Sequence, residues 1–482
     1  MTPTPPSPTV ATTGSRRGSP RVATTPVTAW WAIALTGVIL YVSCFALALR
    51  RGDYNLWGTM LIGPALVLVS VPLLRRAVRA ETDRRIGTFL VVAFFVKLAM
   101  AFVNHAVAFG LYGGVADARG YHDSGVAYSV AFRSGIFQLA EEGELGRRFI
   151  NTLTGGVYTV IGPSKLGGYL VFSWFAFWGL YLFYRAFVVA VPEGNRRRYA
   201  SLLFFLPSTL FWSSSIGKEA WMMLSLGLFS LGAARLLARR PGGLVVLSLG
   251  LAASSRCRPH LSLLILIGLV VGYLFRRSSN LHRLGPLATL GSLAVLVAVG
   301  SFAAGQFTRH FELTSLGTDS FQEVFDAAER GTEGGGSSFS IEGLPRPLAA
   351  ISVLFRPFPG EAHNAAALVA SVEGAAMLVL VVRGRRRLLT AVRRLRSNVY
   401  VLYCATVTAL FLVGFSAFQN FGILARERIQ VIPFVLVLLA LPPARRVGRL
   451  DRYGPPPLVV PPPDLRAGTV GAVGRRGAPA AQ

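Results

Sequence analysis

The chain is a succession of apolar runs joined by loops whose charge alternates from one to the next. The segments RRAVRAETDRR at 75–85, RRR at 196–198, ARRPG near 240, RRSSNLHR at 276–283, RGRRRLLTAVRRLR at 383–396 and ARRVGRLDR at 444–452 are arginine clusters. The loops between them carry the acids, in GVADARGYHDSG, LAEEGELGRR, SSSIGKEA, FRPFPGEAHN and QNFGILARER. The positive-inside rule puts the first set in the cytoplasm and the second outside. Only Glu81, Asp83, Glu193, Asp451 and Asp464 then remain inside, with Glu373 within a run. Carboxylates able to do acid and base chemistry face outward.

A bilayer asks for about 20 apolar residues per helix. Runs near 29–49, 56–74, 86–110, 166–190, 199–214, 218–237, 244–255, 260–275, 285–305, 363–382, 398–417 and 429–443 predict an all-α, polytopic bundle of about twelve spans, both termini inside. The segments 147–162 and 346–358 are expected to be re-entrant or to lie flat outside. Two outer loops are large, about 110–165 and 306–362, and the second holds RGTEGGGSSFS, a flexible connector or a lid. Residues 1–28 and the Pro-rich 444–482 are expected to be disordered cytoplasmic tails flanking a membrane domain over 29–443. A hydrophobic content of 52%, a charged content of 15% and a mean hydropathy of +0.52 fit a membrane protein and not a soluble globule. The net charge of +27 therefore points to membrane lipids with anionic headgroups, and nucleic acid is not an expected partner. Abundant Arg, Ala and Gly with few Lys suggest a bacterial source, hence the bacterial plasma membrane.

The densest polar cluster is Asp117-Ala-Arg119-Gly-Tyr121-His122-Asp123, after the third run. It offers a base, an orienting partner and a charged anchor, or else a solvated loop with an Asx turn. A helix expected at Val126–Phe137 would set these acids at its N-terminus. Next, LPSTLFWSSSIGKEA forms a hairpin with a short outer tip: Lys218 suits a phosphate, Glu219 stands beside it, and Trp212 offers a flat face to a sugar. A plain charge pair beside an interfacial tryptophan fits as well. Arg256 and Arg258, Arg356, and Arg426 and Arg428 lie at the lips of apolar runs, placed to hold a lipid-linked phosphate or to pair with Glu361 and Glu427. Lys97 falls inside the third run, with Glu373 as its candidate partner. No metal site is expected from histidine or cysteine spacing, although Asp117, Asp123 and a phosphate together suit a divalent cation. P-loop, GxGxxG and GxSxG motifs are absent from the sequence.

The outer-loop DAxxYHxxG, the LPSTLFWSSSIGKEA hairpin, FRPFPGEAHN and ARERIQVIP together resemble bacterial GT-C type membrane glycosyltransferases of the dolichyl-phosphate-mannose protein mannosyltransferase-like and ArnT-like group, over Phe89 to Pro442. The resemblance implies transfer of a sugar from a polyprenyl-phosphate-linked donor to an extracytoplasmic acceptor. It also implies Asp117 or Asp123 as base, with His122 beside them, and Lys218, Arg256, Arg258, Arg426 and Arg428 on the donor phosphate. The chain departs from that pattern in one respect: the acidic loop follows the third run rather than the first. Two alternatives stay open. One is an O-antigen-ligase-like polysaccharide polymerase, suggested by His363-Asn364 with Leu368; the other is a lipid-glycan flippase, in which Lys97 would be the coupling cation.

Overall fold

A computed structural model of the chain describes residues 27–114, 116–137, 145–275, 297–298, 300–301, 305, 345–362, 365–418 and 420–443. The chain divides into two units, Met1–Pro443 and Ala444–Gln482, and the described residues all belong to the first. Residues 1–26 and 444–482 of the two tails, nearly all of the expected span at 285–305, the loop residues 306–344 with RGTEGGGSSFS, and His363-Asn364 lie outside the described residues, while the last two residues expected in the N-terminal tail open α1. What is described is helical, with no strand.

Side-chain caps start the first helices. Asp53 precedes α2 (Tyr54–Arg79) and accepts the Asn55 N–H at 2.9 Å; Asp83 precedes α3 (Arg84–Ala106) and accepts the Arg85 N–H at 3.0 Å. Ahead of them lies α1 (Val27–Arg50), and α3 runs on through a π-helical turn at Val107–Leu111. The middle of the molecule is α6 (Lys165–Ala190), with α9 (Lys218–Leu237) packed along it and α10 (Gly243–Ser255) against α9. Glycine lets α6 and α9 touch backbone to backbone. A Cβ at Gly179 would stand 2.3 Å from the Met223 carbonyl oxygen, and one at Gly227 2.3 Å from that of Gly179. Small residues at helix crossings are how apolar helices pack when lipid offers no hydrophobic contrast.

Beyond α11 (Pro259–Leu274) come α12 (Arg346–Ser352), α13 (Ala365–Arg383), α14 (Arg385–Arg394), α15 (Val399–Gly414), α16 (Phe421–Arg428) and α17 (Ile432–Leu439). By length and composition, α2, α3 continued to Leu111, α6 and α9 can cross a membrane, and α13 with α14, bent by 64°, makes a fifth if counted as one span. Four shorter apolar stretches, Ala34–Arg50, Gly243–Ser255, Pro259–Leu274 and Val399–Gly414, have 10–17 residues. The described residues are thus all-helical, as suits a membrane protein, and they supply four or five spans of sufficient length where about twelve were expected. Short helices make up part of the difference, since the runs at 244–255 and 429–443 fold as helices of 13 and 8 residues, and the expected span at 285–305 lies almost wholly outside the described residues. Leu35, Val38, Leu68, Val69, Val369 and Val372 point outward, as a lipid-facing surface requires.

The run at 199–214 is a broken helix. Pro207, without an N–H, ends α7 (Arg196–Phe205) and opens the single turn of α8 (Pro207–Phe211). Lys97 of α3 closes the break: its Nζ donates to the carbonyls of Thr209 (2.9 Å) and Leu210 (2.8 Å) and to Ser213 Oγ (2.7 Å), and Asn104 Nδ2 donates to the Phe211 carbonyl at 2.9 Å. The expected Lys97–Glu373 pairing is not made. Glu373 lies instead beside Ser208, in the first turn of α8.

Contacts gather three arginine-rich junctions at one end of the bundle. Arg197 pairs with Asp83, Arg394 Nη1 lies 3.3 Å from Glu193 Oε1, and Arg387 donates to the Leu441 carbonyl at 2.7 Å. The outer candidates cluster elsewhere, near the segment after α3 and the ends of α9 and α16.

Candidate functional site

The helix expected at Val126–Phe137 starts earlier. It is α4 (Asp117–Arg133), so Asp117 is its first residue and Asp123 lies within it. Next in sequence is α5 (Leu145–Ile161), which runs parallel to α4. Cβ atoms added at Gly120, Gly125 and Gly155 would meet Arg147, Thr154 and Tyr128 in turn, and Arg133 Nη2 donates to the Tyr158 carbonyl at 2.8 Å. Being parallel, the two helices turn their N-termini to the same place. There they meet the start of α9 at Lys218 and the start of α11, whose N-cap is Arg258.

These four N-termini surround a cleft of about 750 Å³ lined by Asp117, Arg119, Tyr121, Asp123, Arg147, Lys218, Glu219, Arg258, Arg426 and Glu427, among others. The lining holds five cations (Arg119, Arg147, Lys218, Arg258, Arg426) and four carboxylates (Asp117, Asp123, Glu219, Glu427), a surplus of one positive charge. Each helix N-terminus adds to it, with unpaired N–H groups and the positive end of its dipole. The field in the cleft favours an anion.

At its floor sits Arg258, 7% exposed. Its Nη2 lies 2.9 Å from Glu219 Oε1 and 2.7 Å from Glu427 Oε1, and Gln430 Nε2 donates to Glu427 Oε2 at 2.9 Å. The Nη1 of Arg258 is buried without a hydrogen-bond partner among the described residues. Burial disfavours the charge on Arg258, but Glu427 and Glu219 outweigh it and hold the guanidinium above its usual value. Glu427 moves up as well, because burial outweighs the attraction of Arg258. At the mouth, Asp117 Oδ2 meets Arg426 Nη1 at 2.6 Å, and Arg119 Nε is 3.9 Å from Asp123 Oδ2. Tyr121, 6% exposed, is pushed up by burial and by Glu219, so it stays a neutral donor and acceptor.

The structure therefore brings Asp117, Arg119, Tyr121, Asp123, Lys218, Glu219, Arg258 and Arg426 into one site. It takes five candidates elsewhere. His122 turns from the cleft to Tyr158, with Nδ1 2.7 Å from the phenolic oxygen, and burial followed by Lys165 pushes it down to about 4. Trp212 packs edge-on against Phe211. Arg256 is an exposed C-cap of α10. Arg356 lies 3.4 Å from Glu361, the carboxylate pairing weighed for it above. Arg428 donates to the carbonyls of Leu354 (3.1 Å) and Arg356 (2.9 Å), which fastens the chain after α12.

Arg147 joins the site without having been singled out, and Glu427, considered only as a pairing partner for the arginines, joins it by pairing with Arg258. The signal for Arg147 was its position, since Arg147-Arg148 is an arginine pair on the face where the positive-inside rule expects few. Asp117 and Asp123 are each engaged by an arginine, and no group of three His, Cys, Asp or Glu able to hold a metal occurs among the described residues. The divalent-cation reading gains no donor set from them.

No known protein family matches the chain, and no curated protein and no solved structure matches it.

Proposed function

We propose that the protein is a membrane glycosyltransferase that moves a sugar from a polyprenyl-phosphate-linked donor to an extracytoplasmic glycan, lipid or protein. The observation that carries this reading is the cleft itself, where four helix N-termini and five cations surround an exposed carboxylate, Asp117. In this reading the donor's phosphate docks against Arg258, Lys218 and Arg147 while its lipid tail stays in the bilayer. Asp117 takes the proton from the acceptor hydroxyl, the acceptor oxygen bonds to the sugar's anomeric carbon, and the sugar–phosphate C–O bond breaks with its electrons leaving on the phosphate. The cations stabilise that departing charge where it develops. The chemistry suits an outward-facing site in the plasma membrane of a bacterium, with both termini in the cytoplasm, because a lipid carrier supplies activated sugar where nucleotide sugars are absent.

The test compares lipid-linked intermediates and envelope glycans by mass spectrometry in a deletion strain complemented with wild type or Asp117→Asn. The expected outcome is the loss of one sugar from an otherwise intact glycan, restored by wild type and reduced about 10²- to 10⁴-fold in rate by the variant. Accumulated single repeat units would replace this reading with a polymerase. Full complementation by Asp117→Asn at equal protein level would remove Asp117 as the base.

A further inference from the structure

The basic helix α14 belongs to the end of the molecule opposite in character to the cleft, and the glycosyltransfer reading makes no use of it. Gly384 marks a turn of 64° between α13 and α14. A Cβ there would come within 2.8 Å of both the Leu380 carbonyl oxygen and Leu439 Cδ2, so the turn is packed too closely for a side chain. The helix is also fastened down. Ala391 is buried, Arg387 Nη1 donates to the Leu441 carbonyl at 2.7 Å, and Arg394 Nη1 lies 3.3 Å from Glu193.

With successive residues about 100° apart around the axis, α14 shows three faces. Ala391 and Arg387 face the protein, toward α17. Leu389 and Val392 form the second face and are 53% and 63% exposed. Arg386 and Arg393 form the third, while Arg385, at the turn, begins the second one turn before Leu389; the side chains of all three are exposed and make no ion pair or hydrogen bond among the described residues. A bilayer surface suits two outward aliphatic side chains beside three unpaired arginines, because the aliphatics reach the acyl chains and the guanidinium groups stay level with the phosphates.

We propose that α14 is a docking surface for anionic phospholipid. Leu389 and Val392 insert below the headgroups while Arg385, Arg386 and Arg393 bind the lipid phosphates. Charge complementarity selects the ligand, since three unpaired arginines on one short helix favour a headgroup with net negative charge over a zwitterionic one.

Full-length protein in a neutral detergent is mixed with equal amounts of phosphatidylglycerol and phosphatidylcholine, and the lipids retained are weighed by native mass spectrometry. Wild type is expected to retain phosphatidylglycerol preferentially, and Arg385→Gln/Arg386→Gln/Arg393→Gln to lower that preference about 100-fold. Arg75→Gln/Arg79→Gln removes two exposed arginines at the end of α2, outside any such amphipathic helix. It is expected to change the preference less than the triple variant does. Leu389→Gln/Val392→Gln keeps every charge and is expected to lower total lipid retention. An unchanged preference in the triple variant would place the retained lipid elsewhere, the cleft included, and overturn the proposal. Equal losses in the triple variant and the Arg75/Arg79 variant would overturn it in favour of a diffuse basic rim. The three arginines make no contact that holds the fold, so an unaltered thermal unfolding midpoint accompanies the expected result.

Discussion

Two buried cations, Lys97 and Arg258, sit in opposite kinds of surroundings. Lys97 is 1% exposed and gives all its hydrogen bonds to neutral acceptors, two carbonyls and a hydroxyl belonging to the broken α7–α8 span. Arg258 is 7% exposed, is held by two carboxylates, and keeps Nη1 unused at the floor of a cleft. The first arrangement commits every donor of the ammonium to the chain's own broken helix, two to its backbone and one to Ser213, which is what a bilayer demands of irregular backbone. The second leaves donor capacity over and surrounds it with converging helix N-termini. Being buried and charged does not by itself mark a functional group; what matters is whether the group's partners exhaust it.

The largest effect that probes this contrast is expected from Arg258→Met. Removing the guanidinium leaves Glu219 and Glu427 buried without their counter-ion, a loss of about 3–5 kcal/mol. Anion binding in the cleft should disappear as well. Adding Glu219→Gln and Glu427→Gln to Arg258→Met removes the orphaned charges, so the unfolding midpoint in detergent should recover while binding of pyrophosphate, a soluble probe, does not. Recovery of both would show that Arg258 serves the fold alone and would erase the contrast with Lys97.

Lys97→Met should cost less, about 1–3 kcal/mol for each donor–acceptor contact that ends unsatisfied, because Ser213 and Ser214 also donate to the Thr209 and Leu210 carbonyls. Its signature is selectivity: the unfolding midpoint falls and pyrophosphate affinity of the folded fraction stays the same. A flippase that depends on Lys97 as its coupling cation would instead lose transport with an unaltered midpoint.

Arg426→Gln sharpens the comparison from the mouth of the cleft. The Arg426–Asp117 pair is partly open, with side chains 34% and 65% exposed. Its removal should change stability by less than about 1 kcal/mol and weaken pyrophosphate binding about tenfold. Any large fall in the unfolding midpoint would class Arg426 with Lys97.

The sequence pointed to the helical membrane architecture and singled out eight of the residues that line the cleft, for separate reasons. Long apolar stretches announce spans because the bilayer fixes their length, and α2, α3, α6 and α9 are the ones that meet it. Shorter apolar helices carry no such mark, and Pro207 divides one of the expected runs. Arg426, Glu427 and Arg428 show why single side chains were harder to place. They are consecutive on α16, about 100° apart around its axis, so one meets Asp117, the next Arg258, and the third turns back to the Leu354 carbonyl. Motif spacing sees three charges at one lip; only the helix phase separates site from staple. Arg147 stayed unassigned because its place depends on α5 running parallel to α4, a topology that local pattern does not encode.

His122 offers the smallest and most local test, on the far side of α4 from the cleft. It stood in the sequence beside Asp123 as a catalytic candidate, yet its ring is spent on Tyr158. Burial, and then Lys165, pushes it down to about 4 from an ordinary 6.5. Between those values the unfolded chain holds a proton on this imidazole and the folded chain does not. Stability from this group is therefore complete above about pH 6.5, falls as the pH drops through the window, and falls no further below about 4. His122→Gln can still hydrogen-bond Tyr158 but cannot titrate, so the unfolding midpoint should lose that part of its slope between pH 6.5 and 4 while cleft binding at pH 7 is unaltered. If His122→Gln abolished anion binding at neutral pH, the imidazole would belong with the cleft, and α4 would present both of its polar faces to the ligand.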